Sequence, residues 1–455
     1  MSSQMEQHAS EQPIALPTDF DYRQPSLERI EGMENYVRGG YHPVLIGDLF
    51  RDGRYKVIHK LGHGAFATVW LARDTHAQRY VSLKILTAEV SEEEECCDVK
   101  VLDFLSQRSS SHPGRQYICF LFDHFWIQGP NGSHLCLVSE VLGPTIEQLL
   151  QLQKRLRGRV AQDLTAANVA FELANFDHYT EEEVHLRLGS PKTELVTTAS
   201  GNALSPSAPR YVVQPATFSN VGSEWLKENI RLLDFGIAFF ESSPPEFLGT
   251  PPGFMAPEGW FESKYGQGTD LWAVGCTIFT IRSGQPVIHI MLGGNPEEVI
   301  GKIVEVLGPL PSKWDSLYFD EECYPRPREE AGDEAPPPWY EEDDETVALS
   351  LREIAEGIED EYHGPPRPED LVEPPKLDYE LEMEAQGITF ILPPRKPMAK
   401  ISRNEAIAFA DFMCRILRYE PSERPSADEL SKHHWLSEDY PDTRTVDGAP
   451  PWFRS

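Results

Sequence analysis

Residues 163 to 168 read Asp163-Leu164-Thr165-Ala166-Ala167-Asn168, and Asp234-Phe235-Gly236 follows further along the chain. An Asp followed five positions later by an Asn, then a second Asp ahead of Phe-Gly, is the layout that phosphoryl transfer from a nucleotide needs. Asp163 is the candidate catalytic base, orienting or deprotonating an acceptor hydroxyl. Asn168 and Asp234 are the candidate ligands for the magnesium ions that bridge the phosphates. Either motif alone arises often by chance, so the order of the motifs and their neighbours decide the reading. Upstream sequence should then bind ATP, and downstream sequence should bind the acceptor.

Upstream, Gly62-His63-Gly64-Ala65-Phe66-Ala67-Thr68-Val69 lies between two runs of strand character. Its glycines can fold a hairpin over nucleotide phosphates while Val69 covers the base; without a ligand the same residues make a plain tight hairpin. Ala67 stands where the usual motif has its third glycine. Val81-Ser82-Leu83-Lys84 puts a lysine on an otherwise apolar strand, where it is costly unless paired with phosphate and a carboxylate. By the spacing of apolar residues the matching position for the carboxylate partner is Asp98, with Glu94 and Glu95 about one turn earlier, and which of the three pairs with Lys84 is left open. Most of the Glu92 to Glu95 run reads as solvated charge.

The surrounding pattern is α+β. Short strand-like runs at 55–61, 68–72 and 80–86, a helix at 91–105 and further strands near 118–125 and 135–141 predict a five-stranded sheet with one helix. Helices are expected at 146–157, 268–282, 296–307, 403–418 and 426–435. Residues 1–40 read as a flexible leader, 172–229 as a long spacer of mixed character, and 441–455 as a tail. Between Asp320 and Glu384 stand 24 acidic and 5 basic residues, so 24 − 5 = 19 of the chain's 32 net negative charges fall in one Pro-rich insert. Its bland reading is a solvated, largely disordered segment; the sharper one is a surface that attracts basic peptides. The charge of −32 argues against nucleic acid as a partner. Seven cysteines without a C-x-x-C pair suggest a reduced compartment, and no apolar run or signal pattern suggests a membrane segment. Oligomeric state has no signal in the sequence.

Gly249-Thr250 followed by Met255-Ala256-Pro257-Glu258 is similar to the end of a kinase activation segment, with one extra residue between. With Gly40-Tyr41-His42-Pro43-Val44, Gly47-Asp48-Leu49-Phe50, Arg54-Tyr55-Lys56-Val57-Ile58, Leu61-Gly62 and Ser139-Glu140-Val141-Leu142-Gly143, the chain resembles the eukaryotic protein kinases, and within them the SR-protein kinase branch. The resemblance covers residues 40–150 and 160–440. It implies a two-lobed fold, with a small N-lobe at 41–142 and a mainly helical C-lobe at 143–440 that carries the inserts at 172–229 and 320–384. It also implies an ATP site of Leu61, Gly62, Gly64, Val69, Lys84, Glu140 and Leu142. Glu258 would pair with Arg424 as a structural ion pair, and Asp270 would brace the catalytic loop, although taken alone Asp270 is most simply a helix cap. A serine/threonine kinase of Arg/Ser-rich proteins in cytoplasm or nucleus follows from the likeness. A small-molecule kinase is disfavoured by Ala256-Pro257-Glu258 and Arg424.

Three departures bear on the chemistry. Ala161-Gln162 replaces the usual His-Arg or His-Gly pair before the catalytic Asp. Thr165 replaces a lysine, and loss of one such stabiliser of the transferring phosphoryl typically costs about 10² to 10³ in rate, roughly 2.7 to 4 kcal/mol. From Glu140 to Asp163 there are only 163 − 140 = 23 positions, and the resemblance leads one to expect roughly twice that, because a buried C-lobe helix and a short strand belong there. Either about 25 codons, enough for one helix of about 30 Å and a short strand, are absent near Ala161, or the chain is a decayed kinase. The intact sequence on both sides of the join favours the first. The rival in a different class is a pseudokinase, a binding module that keeps the fold without catalysis.

Overall fold

A computed structural model describes residues 22–92, 97–107, 113–146, 148, 168–218, 221, 225–240, 242–245, 248–290, 294–331, 339, 351–361 and 398–437. In chain order the first elements are β1 (Leu49–Phe50), β2 (Tyr55–Gly64), β3 (Ala67–Asp74), β4 (Arg79–Leu86), α1 (Ala88–Glu92), α2 (Cys97–Gln107), β5 (Leu121–Gly129), β6 (Gly132–Ser139), β7 (Leu142–Thr145) and β8 (Val169–Leu173). Then come α3 (Glu181–Leu188), β9 (Thr193–Leu195), β10 (Tyr211–Val213), β11 (Leu226–Leu232), α4 (Pro257–Glu262), α5 (Gln267–Ser283), α6 (Pro296–Leu307) and α7 (Arg403–Ile416), among shorter pieces. The chain forms two compact units. One gathers the residues up to Cys96 with Phe120–Val141 and Asn175–Val221; the other gathers Cys97–Cys119, Leu142–Ala174 and Gly222–Ser455.

The first unit is built on a mixed-length antiparallel sheet in the order β1-β2-β3-β4-β6-β5, six strands where the sequence pattern suggests five, because the two-residue β1 is too short to show a period. Alternate residues of neighbouring strands, Tyr55 and Val57, Trp70 and Ala72, Val81, Leu83 and Ile85, Cys136 and Val138, share one buried cluster, as the period of two requires. Val213 of β10 is buried in that same cluster, and Tyr211 packs against it. The spacer is therefore part of the first unit from Asn175 to Val221, which corrects its assignment to the C-lobe. Lys56 pairs with Glu181, Arg73 donates to the Asp177 carbonyl at 2.8 Å, and the Tyr80 amide donates to the Asp177 carboxylate at 2.8 Å. Thr180 and Glu183 cap α3 reciprocally.

The expected leader is likewise corrected over residues 22–40. Met33 and Tyr36 are buried with Tyr41, Val196, Ala208 and Val212, and Ser26 bonds the Glu194 carboxylate at 2.7 Å. Glu31 and Lys60 form a buried ion pair to which the Tyr36 hydroxyl also donates, and the Lys60 ammonium stands 5.4 Å from the Trp70 ring centroid. Burial works against the Glu31 charge, but Lys60 and the Tyr36 hydroxyl prevail and hold the carboxyl below its ordinary 4.5. A depressed folded value means that the stabilisation is complete above 4.5 and is lost as pH falls through the folded value. Glu31→Gln should flatten the acid limb of a melting-temperature profile in that window and cost about 1 to 3 kcal/mol at neutral pH. Superimposable acid limbs for the two proteins would refute this.

In the second unit, α5 is the central helix: ten of its seventeen residues are buried, so it cannot be a one-faced surface helix. It packs on α7, where a Cβ at Gly275 would come within 2.9 Å of Ile416 and Leu417 and where Phe279 stacks on Phe409 at 5.9 Å. Asn295 caps α6 and Ser402 caps α7. A three-stranded sheet orders β11-β8-β7. The acidic insert carries structure where it is described: Pro325–Pro327 pairs with Leu317–Phe319, Glu359–Glu361 pairs with Met398–Lys400, and the helix Leu351–Glu356 packs on α7. The helix expected at 91–105 is described as helix at Ala88–Glu92 (α1) and Cys97–Gln107 (α2), and 93–96 lie outside the described residues. That expected at 426–435 is two short turns, Ala427–Leu430 and His434–Ser437. The interval 149–167, with most of the helix expected at 146–157 and the short join before Asp163, lies outside the described residues, as does the tail at 441–455. Among the described residues no helix is long and apolar enough to cross a membrane.

Candidate active site

In the first unit β2 and β3 pair Gly62 with Val69, His63 with Thr68 and Gly64 with Ala67, leaving Ala65-Phe66 as the turn. Neither Gly62 nor Gly64 has a positive φ, and a Cβ on either would meet no heavy atom within 4 Å. Nothing among the described residues requires glycine there. Bare backbone facing open space is what close approach of a phosphate group needs, so the hairpin fits a nucleotide. Ala67 is only 5% exposed, so its methyl packs within the protein and takes nothing from the open space beside the glycines. Leu61 and Val69 are half-buried. Lys84 is also half-buried, in mid-sheet opposite Val69 on β3 and Leu137 on β6. Glu140 follows β6; its carboxylate accepts the Phe120 amide at 3.0 Å and its own amide donates back to the Phe120 carbonyl at 3.3 Å, which fixes the chain where the sheet ends.

In the second unit β8 and β11 run antiparallel with Val169 opposite Leu232, and the Leu233 amide donates to the Asn168 carbonyl at 2.8 Å. Asn168 immediately precedes β8, and Asp234 lies two positions beyond the end of β11. One end of a strand pair thus carries both candidate metal ligands, although a spacer separates them in sequence. Asp234 adopts φ 60, in the left-handed region that Asp tolerates better than most residues, and where such strain persists it tends to mark a functional position. Its side chain is exposed, and its Oδ1 accepts the Gly236 amide at 3.4 Å. The oxygen donors of an Asn and an Asp suit a hard cation such as magnesium. Leu142 opens β7 opposite Glu172. Asp163 lies outside the described residues, as do Glu94 and Glu95 and the side chain of Asp98.

The expected structural pair is present. Arg424 grips both oxygens of Glu258, at 2.6 and 2.7 Å, with the guanidinium fully buried. Asp270 is the fourth residue of α5 and not its cap, a position held by Gly266, whose amide donates to the Thr269 hydroxyl at 3.3 Å. The Asp270 carboxylate has surface open to solvent yet is crowded by protein atoms, a recess whose partial desolvation raises its carboxyl above the ordinary value. Asp411, His433 and His434 bring ligand-type atoms within 4.8 Å of one another. His433 is already engaged at both nitrogens, by Asp411 at 2.9 Å and by the Trp435 amide at 3.2 Å, and Arg415 holds the same carboxylate, so this cluster reads as structural. Sequence reasoning assigned Tyr41 no chemical role, yet its hydroxyl bonds the tip of the β2–β3 hairpin.

A family model for the protein kinase domain matches residues 219–436, a stretch with Asp234, Glu258, Asp270 and Arg424. A serine/threonine protein kinase of Aspergillus fumigatus is 31% identical over 296 residues, which is 62% of this chain and 71% of that one. The chain belongs to the protein kinase family. Protein kinase dsk1 of Schizosaccharomyces pombe is 36% identical over 202 residues, 44% of this chain and 36% of its own length. SRSF protein kinase 3 of Homo sapiens is 45% identical over 117 residues, 26% of this chain and 20% of its own. These relatives support the SR-protein kinase branch within the family, and the α+β kinase fold agrees with them. The chain spans about a third of the length of dsk1 and a fifth of that of SRSF protein kinase 3.

Proposed function

We propose that the protein is an ATP- and magnesium-dependent serine/threonine kinase acting on Arg/Ser-rich proteins. The observation that carries this is the β8–β11 pairing, which sets Asn168 beside the segment of Asp234. Gly62 and Gly64 would admit the phosphates, Lys84 would hold the α- and β-phosphates and Val69 would cover the base, while Leu61, Glu140 and Leu142 are assigned to ATP by the family resemblance. Asn168 and Asp234 would hold magnesium, which when bound would supply charge neutralisation to the phosphates. Asp163 accepts the proton of the substrate hydroxyl. With Thr165 in place of a cation, turnover is slow. The proposed compartment is cytoplasm or nucleus, in keeping with the family resemblance.

Mg-ATP at about 100 times its Kd stabilises the folded state by about 2.7 kcal/mol, which corresponds to a rise of about 3 °C in melting temperature for a domain of about 400 residues. Lys84→Met should abolish that rise. A wild type that does not shift has no nucleotide site, and the reading fails. Phosphotransfer to an Arg/Ser peptide should also weaken as salt rises, since 19 net negative charges in one segment attract arginine over a distance that salt shortens to about 8 to 10 Å. A thermal shift with no transfer to any Arg/Ser peptide would instead favour the binding-module reading, for which the short interval before Asp163 is the reason to keep it in view.

A further inference from the structure

Tyr41 is 3% exposed and is held from three segments of the first unit. Its ring packs with Met33 and Tyr36 of the leader and with Val196, Ala208 and Val212 of the spacer, edge-on to Tyr36 at 5.7 Å. Its carbonyl accepts the Asn131 amide nitrogen at 2.7 Å, and the same nitrogen donates to the Ser207 carbonyl at 2.8 Å. From this fixed base the hydroxyl reaches the β2–β3 turn and donates to the carbonyls of Gly64 at 2.7 Å and Ala65 at 3.1 Å. Burial, with the charges of Glu31 and Glu34, keeps the phenol above its ordinary value, so it remains a donor.

The tip needs such an anchor. A two-stranded ribbon is marginal by itself, and glycine has the most conformational freedom to lose. Gly62 and Gly64 contribute no side chain, and Phe66 is 65% exposed and packs little. Beyond the Gly64–Ala67 pair, the tip is tied by the Thr87 amide, which donates to the Phe66 carbonyl at 2.9 Å, and by Tyr41. We propose that Tyr41 is a positioning residue for the nucleotide: its hydroxyl presets the glycine-rich tip, so that ATP does not bear the ordering cost when it binds. This rests on the reading of the hairpin as a nucleotide site.

Tyr41→Phe removes the donor and keeps the ring, so the core about Met33 and Tyr36 stays filled. Two measurements on the full chain test the idea. In nucleotide-free protein, amides of residues 64–66 should exchange hydrogen faster in the variant, with the rest of the sheet unchanged. The Kd for Mg-ATP should rise about three- to tenfold, as expected for one lost hydrogen bond, and KM for ATP should rise with it while kcat changes by less than about twofold. Faster exchange together with weaker binding supports the proposal. A Tyr41→Phe protein with unchanged melting temperature, unchanged tip exchange and unchanged Kd overturns it while leaving the functional reading intact. No Mg-ATP binding by the wild type would overturn that reading and the nucleotide half of this one together, while the exchange comparison alone decides whether Tyr41 holds the tip.

Discussion

Arg424→Ala should lower the melting temperature by about 4 to 8 °C, the largest single-site loss of stability expected in the second unit. The guanidinium is fully buried and makes five hydrogen bonds: two to Glu258, and one each to the carbonyls of Gly268 at 2.6 Å, Arg418 at 2.9 Å and Tyr419 at 3.2 Å. It also stands 5.2 Å from the ring centroid of Trp272 on α5. Truncation takes the cation from the buried Glu258 carboxylate, to which the Thr269 hydroxyl at 3.5 Å is a weak donor, and one hydrogen bond from each of three carbonyls. Breaking a buried pair from one side costs about 3 to 5 kcal/mol, against a net domain stability of about 5 to 15 kcal/mol. Arg424→Lys keeps the charge but not the planar fork, so it should recover only part of the loss. Replacing both partners, Glu258→Leu with Arg424→Met, should cost less than Arg424→Ala, since no unpaired charge remains. A melting temperature for Arg424→Ala within about 2 °C of wild type would show that the pair is dispensable.

The same pair shows what sequence can carry. Glu258 and Arg424 are 166 residues apart and no periodicity links them; only the resemblance does. Asn168 and Asp234 are legible as candidate metal ligands because the chemistry of metal binding selects residue types at short spacing from Asp163 and Phe235. The strand pairing that joins them was not legible, because the spacer interrupts it and the register is fixed only in the folded sheet. Residues 22–40 of the leader were misread for a related reason. Their burial rests on separated residues, Glu31, Met33 and Tyr36, whose partners Lys60, Val196 and Val212 come from elsewhere in the chain. Such contacts leave no 3.6- or 2-residue period. Lys60 reads as an ordinary strand lysine until Glu31 is placed beside it. Composition does not reach the short strands of the acidic insert that pair with Leu317–Phe319 and Met398–Lys400, since net charge reports repulsion and solvation and says nothing of strand pairing.

Asp234→Asn should cost about 10² to 10³ in phosphotransfer rate, roughly 2.7 to 4 kcal/mol of transition-state stabilisation, with the ligand-free melting temperature almost unchanged. Two features separate these effects. Asp234 is exposed and, at φ 60, occupies backbone space that Asn adopts as readily as Asp, so the substitution adds no strain. What it removes is the charge, and with it most of the attraction for a hard cation at the end of β11. The variant should therefore need more magnesium for half-maximal rate and should lose part of the thermal shift with Mg-ATP. Asp234→Ala gives the contrast: it also loses the oxygen and places a residue in the left-handed region at a cost of about 1 to 2 kcal/mol, so its ligand-free melting temperature should fall as well. If Asp234→Asn keeps the wild-type rate and magnesium dependence, Asp234 holds no metal, and the proposed pairing of Asn168 with Asp234 as a metal site is wrong. If it lowers the thermal shift in a protein that transfers no phosphate, the metal site stands and the defect lies at Ala161 to Thr165, where the sequence departs furthest from the family.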